Sequence, residues 1–187
     1  DLTDLPISFL ASKWILERVP YAFEGDSESC IKWKEMLGGK INVDSSAMVF
    51  TGSASCGFSL NPNKEYKEFD SDSDIDIAII SDHHFDIAWH SLRNLGTQYY
   101  KLTPKQKSAV DDHVNRLIYW GTIATDKILS ILPFGKEWLN ALTEMSYEKP
   151  VDGRTINVRI YRDFKSLRDY QTSNLSKLRQ KLLEQEN

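Results

Sequence analysis

Two carboxylates one residue apart, at the head of an apolar run, constrain this chain more than any other feature. Residues 73–81 read Ser-Asp-Ile-Asp-Ile-Ala-Ile-Ile-Ser. Side chains alternate faces along a strand, so Asp74 and Asp76 share one face, roughly 6–7 Å apart. Ile75, Ile77 and Ile79 point the other way, into a core. Carboxylates on one face repel unless a cation lies between them. Mg²⁺ suits that place, because it accepts one or two carboxylates plus substrate phosphates; Mn²⁺ is the alternative. Just upstream, Met48–Thr51 reads as a short buried strand running into Gly52-Ser53. Glycine lets a backbone approach closely, and exposed N–H groups beside a hydroxyl suit a phosphate.

Phe50-Thr51-Gly52-Ser53, a spacer, then Ser73-Asp74-Ile75-Asp76-Ile77 resembles the signature of the nucleotidyltransferase superfamily, the group that includes DNA polymerase beta. The spacer is longer than is usual there. The resemblance implies an α/β (α+β) fold, a small mixed β-sheet flanked by helices. It also implies Mg²⁺-dependent transfer of a nucleoside monophosphate from an NTP, with ATP expected, to an acceptor hydroxyl. Asp74 and Asp76 would be catalytic metal ligands, and Gly52 and Ser53 would contact phosphate.

The superfamily carries a third carboxylate on a later strand, which helps hold a metal and readies the attacking hydroxyl. The counterpart here lies in residues 153–161, Gly-Arg-Thr-Ile-Asn-Val-Arg-Ile-Tyr, and offers Asn157. Parity places Thr155, Asn157, Arg159 and Tyr161 on one face, with Ile156, Val158 and Ile160 in the core. An amide oxygen can ligate a metal but cannot act as a base. Three options stay open: another acid fills in, the acceptor loses its proton to water or to its own surroundings, or nucleotide binds without efficient turnover. Asp163 shares the parity, but six residues along a strand is about 20 Å, too far for a shared ion. Arg159 is a candidate countercharge for a triphosphate, or equally a partner in a surface ion pair.

Small members of the superfamily modify tRNA ends, antibiotics or partner proteins, often in toxin–antitoxin or antiviral defence settings. A net charge of −4 argues against a generic nucleic-acid binder, so a protein or small-molecule acceptor is favoured over RNA. The alternative is a catalytically weakened nucleotide-binding regulatory module acting through a partner protein. A structural protein with an incidental motif is a third reading.

At 187 residues, one domain over 1–187 is expected, with N-terminal helices (1–40) and a C-terminal helix (163–186) packed on it. No apolar run approaches a membrane span of about 20 residues. The N-terminal stretch opens acidic and is interrupted by Lys13, Glu17 and Arg18, so no signal peptide is expected. Two cysteines, Cys30 and Cys56, suit a reduced, cytoplasmic setting.

Along the chain, apolar spacing predicts a helix over 6–19 with Ser8 as a possible cap. A second is predicted over 25–36, capped by Asp26 or Ser27 and ended by Gly38-Gly39. A polar loop turns at Asn61-Pro62-Asn63. A helix follows over 83–95, then a polar linker to 107. Residues 108–132 form the longest periodic segment, with Val110, Val114 and Leu117 on its apolar side, followed by a short helix over 135–145. Asp152-Gly153 predicts a hairpin between strands at 147–151 and 154–161. Asp70 and Asp72 read as loop acids, Cys56 as a small buried residue, and His83 and His84 as solvated. The basic residues of 163–186 are interleaved with acids and read as a solvated face.

Overall fold

A computed structural model describes residues 2–64 and 66–185, the side chains of Pro62 and Gln185 aside. Glu186, the last residue expected in the C-terminal helix, lies outside the described residues, as do both ends of the expected 1–187 domain.

The fold is mixed α/β. Its strands are β1 (Met48–Thr51), β2 (Ile75–Ile80), β3 (Thr122–Ala124) and β4 (Ile156–Tyr161). They form a sheet in the order β1-β2-β4-β3. β2 and β4 run parallel at the centre, and the edge strands β1 and β3 pair antiparallel to them. The expected alternation decides the faces. Phe50, Ile75, Ile77, Ile79, Ile156, Val158 and Ile160 all enter one core, with Ile123. Helices α2 (Ser27–Ile41), α4 (Asp82–Arg93) and α6 (Gly135–Ser146) close that face through Trp33, Leu37, Phe85, Ala88, Trp138 and Met145. Burying a large apolar side chain contributes about 1.5–3 kcal/mol, so this layer holds β2 and β4 in place.

The opposite face is covered only in part. Helix α1 (Ile7–Ala11) widens into a π turn, Ser12–Leu16, before Pro20. It packs with the long C-terminal helix α7 (Phe164–Gln185) through Leu10, Ile15, Leu175 and Leu178. Leu167 of α7 lies on Ala78 and Tyr161. Two basic residues expected on a solvated face instead tie the chain ends together. Arg168 donates to Ser12 Oγ (2.7 Å) and Arg179 to the Leu2 carbonyl (2.6 Å). The remaining part of this face, over the ends of β1, β2 and β4, is open.

Several expectations are corrected. Helix α1 starts after Pro6 without a side-chain cap, so Ser8 does not serve as one. α2 is capped by Asp26, which accepts from Ser29 N (3.0 Å), but it runs through Gly38-Gly39 to Ile41 and ends on Asn42 at φ 54°. Gly38 is there for proximity rather than termination: a Cβ would stand 2.5 Å from the Val43 carbonyl oxygen. Within 96–107, residues Gly96–Lys101 form a 3-10 turn, and α5 (Pro104–Asp112) starts at a Thr103/Gln106 capping box.

The periodic segment at 108–132 is not one helix. α5 passes into a π turn, His113–Leu117, and the chain then reverses at Gly121 (φ 63°) into β3. A left-handed φ stops a helix. The β-branched Thr122 and Ile123 that follow suit a strand, and Thr125 fastens it by donating from N and Oγ1 to the Val158 carbonyl (3.1 and 2.8 Å). The hairpin does not form either. Residues 147–151 turn back on α6, with Gly153 N donating to the Ser146 carbonyl (2.7 Å). β4 then pairs with β2 and β3, where its core residues gain partners on both sides.

Candidate functional site

The sheet register brings the site together. Thr51 of β1 faces Asp76 of β2, and Asp76 faces Asn157 of β4. Residues abreast in a sheet share a face, so these three form a row on the open side. Asp74 lies two residues before Asp76 on the same side. Asn157 joins the acids: its Nδ2 donates to Asp74 Oδ2 (3.3 Å) and Asp76 Oδ1 (3.4 Å). Two ionised carboxylates only accept, so the amide must turn its nitrogen to them.

β1 ends in the short helical turn α3 (Gly52–Cys56). Gly52 has φ +62°, and a Cβ would stand 2.7 Å from Asp76 Oδ2. The left-handed backbone favours glycine, and the missing Cβ leaves the Asp76 carboxylate where it stands.

Asp76 is half-buried. Desolvation pushes its pKa above the usual carboxylate range, and repulsion from Asp74 adds to this; the Asn157 amide, Arg159 and Lys64 pull it back only in part. Arg159 lies on the same face two residues past Asn157. It donates to Tyr170 Oη and sits over the Tyr170 ring at 5.1 Å. That contact holds it beside the acids rather than in a surface ion pair.

A cavity of about 440 Å³ opens here, lined by Gly52, Ser53, Asp76, Asn157 and Arg159. The five expected residues that face it thus come from two strands and one turn. Asp74 is exposed and joins the group through Asn157 rather than lining the cavity. The far wall was not anticipated: Lys64, Tyr170, Gln171 and Asn174 line it, and so does Asp126. Gln171 and Asn174 stand three apart on α7, a helical neighbour pair that a polarity pattern could have singled out. Asp126 follows β3, inside a segment whose spacing looked helical, so its place was hidden.

The pair fits a hard cation. Asp76 is a desolvated carboxylate short of positive charge, and two carboxylates plus substrate phosphate is a common Mg²⁺ arrangement. Among the described residues, no group of three or more His, Cys, Asp or Glu side chains stands close enough to hold a metal by itself.

Other polar residues in and around these turns have structural roles. Ser55 donates to the Trp14 carbonyl (2.9 Å). Cys56 is buried, its thiol pKa pushed up by desolvation, and its Sγ reaches the Phe58 carbonyl (3.1 Å). His84 is not solvated: it is buried against Phe134 and Trp138, with Nδ1 2.8 Å from Ser81 Oγ. His83 is exposed. Asp70 accepts from Ser73 Oγ (2.8 Å) and Asp72 N (3.1 Å), ordering the loop before β2.

No family model matches the chain, and no curated protein or solved structure matches it. No helix among the described residues is long and apolar enough to cross a membrane.

Proposed function

We propose that this protein is a Mg²⁺-dependent nucleotidyltransferase with a nucleotidyltransferase-like fold, taking an NTP, ATP in the first instance, and an acceptor hydroxyl. The observation that carries the reading is the Gly52 turn set against the Asp76 carboxylate, with Asn157 beside it on the adjoining strand, all open to one cavity that Arg159 also lines. Gly52 and Ser53 would receive the phosphates through backbone N–H groups and a hydroxyl. Arg159, steadied by Tyr170, and Lys64 would balance their charge. Asp74 and Asp76 would hold the ion, which when bound would neutralise charge on the phosphates and on the departing pyrophosphate. The acceptor is proposed to be a protein or small molecule rather than RNA.

Calorimetry with Mg²⁺ and a non-hydrolysable ATP analogue, on the wild type and on the Asp74→Ala/Asp76→Ala double variant, tests the site. Binding that survives in a folded double variant ends the reading. Labelled NTPs with cell extract and Mg²⁺ or Mn²⁺ then reveal the acceptor.

One observation favours a second reading, a nucleotide-binding module that acts through a partner. The Asn157 amide already bridges both carboxylates, and it adds no third negative charge. Tight binding by the wild type without any product would support this alternative.

A further inference from the structure

Asn157 leaves the proposed reaction without a carboxylate beside the acid pair that could take the acceptor's proton. We infer that Asp126 supplies it: the general base has moved one strand outward, from β4 to the end of β3. The inference rests on the nucleotidyltransferase reading above.

The register points to the position. Ala124 of β3 faces Arg159 of β4, and Thr125 is bonded to Val158. Asp126 comes next, where the chain leaves the ladder in a turn: Ile128 N and Leu129 N both donate to the Thr125 carbonyl (3.0 and 2.8 Å). The cavities place it beside Asn157. Asp126 and Asn157 both line the 440 Å³ cavity that contains Gly52 and Asp76. Both also line a second cavity of about 360 Å³, walled by Lys127, Ser130, Thr143 and Thr155. With Val158, the two residues form the shared boundary.

That boundary is where a reacting hydroxyl must stand if the nucleotide fills the first cavity and the acceptor enters through the second. Asp126 is exposed and makes no hydrogen bond or ion pair among the described residues, so both its oxygens are free to accept. β4 lies between Asp76 and Asp126, which places their backbones about 10 Å apart. That leaves room for a hydroxyl between them, and Asp126 does not group with Asp74 and Asp76 as a three-ligand metal site among the described residues. The role is therefore that of a base on the acceptor side, not of a third metal ligand.

The step balances. The acceptor O–H gives its proton to the Asp126 carboxylate as the oxygen bonds to the α-phosphorus. The bond from that phosphorus to the bridging oxygen breaks, and pyrophosphate leaves with the electron pair. A positioned base of this kind is worth about 10²–10⁴-fold in rate.

The test compares the wild type, Asp126→Asn and Asp126→Glu in two assays. One is affinity for Mg²⁺ with a non-hydrolysable ATP analogue. The other is pyrophosphate release from ATP, with water as the acceptor, across pH. The expected result for Asp126→Asn is unchanged affinity within about twofold and a rate lower by about 100-fold or more at every pH tested. Asp126→Glu should recover part of the rate. An Asp126→Asn rate within about threefold of wild type overturns the inference, as does a tenfold weakening of analogue binding, which would make Asp126 a ligand. A wild type that binds the analogue yet releases no pyrophosphate also overturns it. A wild type that does not bind the analogue instead sinks the site reading itself, so the two failures are distinguishable.

Discussion

Gly52 and Asp76 sit so close that the glycine has no room for a side chain: a Cβ would stand 2.7 Å from the Asp76 carboxylate oxygen. The same backbone has φ +62°. The turn after β1 and the acid on β2 are therefore one fitted unit.

Gly52→Ala separates the two demands. The left-handed backbone disfavours any L side chain, at a cost of about 1–2 kcal/mol. The Asp76 carboxylate is the free end of a side chain and can swing aside, so the clash adds little to the stability loss. Its displacement would nonetheless spoil the proposed ion site. We expect a modest fall in the urea midpoint but at least tenfold weaker binding of Mg²⁺ with nucleotide. Equal affinity in the two proteins would show that Gly52 does not set the carboxylate's position.

Asp76→Asn should trade function for stability. Burial raises the folded-state pKa of Asp76 above its unfolded value. Its stabilising contribution is thus fully present below about pH 4, the ordinary carboxylate range, and is lost as pH rises through the raised value. At neutral pH the ion-free protein holds an ionised carboxylate at a cost. Asparagine removes that charge while still able to accept from Asn157. We expect the variant's Tm at pH 7 to rise by a few degrees, with about 1 kcal/mol corresponding to ~2–4 °C at this size, and its response to Mg²⁺ with nucleotide to vanish. A lower Tm than wild type would contradict the proposed charge imbalance.

The parts of this arrangement that follow period-two alternation were legible in the chain. Asp74 and Asp76 share a face because a strand makes them do so, and Asn157 and Arg159 oppose Ile156, Val158 and Ile160 for the same reason. β3 was not legible. Val110, Leu117, Ile128 and Leu129 repeat at helical spacing, yet a helix, a π turn and a 3-10 turn bury them separately around a three-residue strand. Val114, which a single helix would have buried, is 67% exposed. Asp152-Gly153 likewise carried a correct local signal, since both residues have positive φ. Which strands would meet was settled instead by long-range pairing with β2 and β3. Asp126 could not be placed until β3 was known.

Asn157→Asp restores a third acid at the centre of the row. It also removes the amide that ties Asp74 and Asp76 together and sets a third negative charge among them. Without metal, the variant should be less stable than wild type at pH 7, by about 1 kcal/mol, as for loss of a donor to the half-buried Asp76. Mg²⁺ or Mn²⁺ should raise its Tm by more than it raises that of the wild type. If the proposed reaction is limited by the missing acid, pyrophosphate release should increase. If Asp126 already serves, release should change little and the double variant Asn157→Asp/Asp126→Asn should recover activity.

His113 joins the wall of the site to the helix beneath it. It is buried, with Nδ1 2.6 Å from the Ala109 carbonyl and Nε2 accepting from Ala124 N at 3.0 Å. The tautomer follows: Nδ1 carries the hydrogen and the ring is neutral. Desolvation lowers its pKa, against the opposing pull of the Ala109 bond, Asp112 and Asp126. A lowered folded-state pKa means that its contribution is fully present above about pH 6.5 and is lost as pH falls through the lowered value. His113→Leu leaves Ala124 N unpaired and should cost about 1–3 kcal/mol at pH 7.5, with less difference from wild type at pH 5. Ala124 also lines the cavity, so nucleotide affinity should fall with it. Urea midpoints at the two pH values check the first expectation and calorimetry the second. If the gap between wild type and variant stays constant with pH, His113 is not the acid-sensitive anchor of β3.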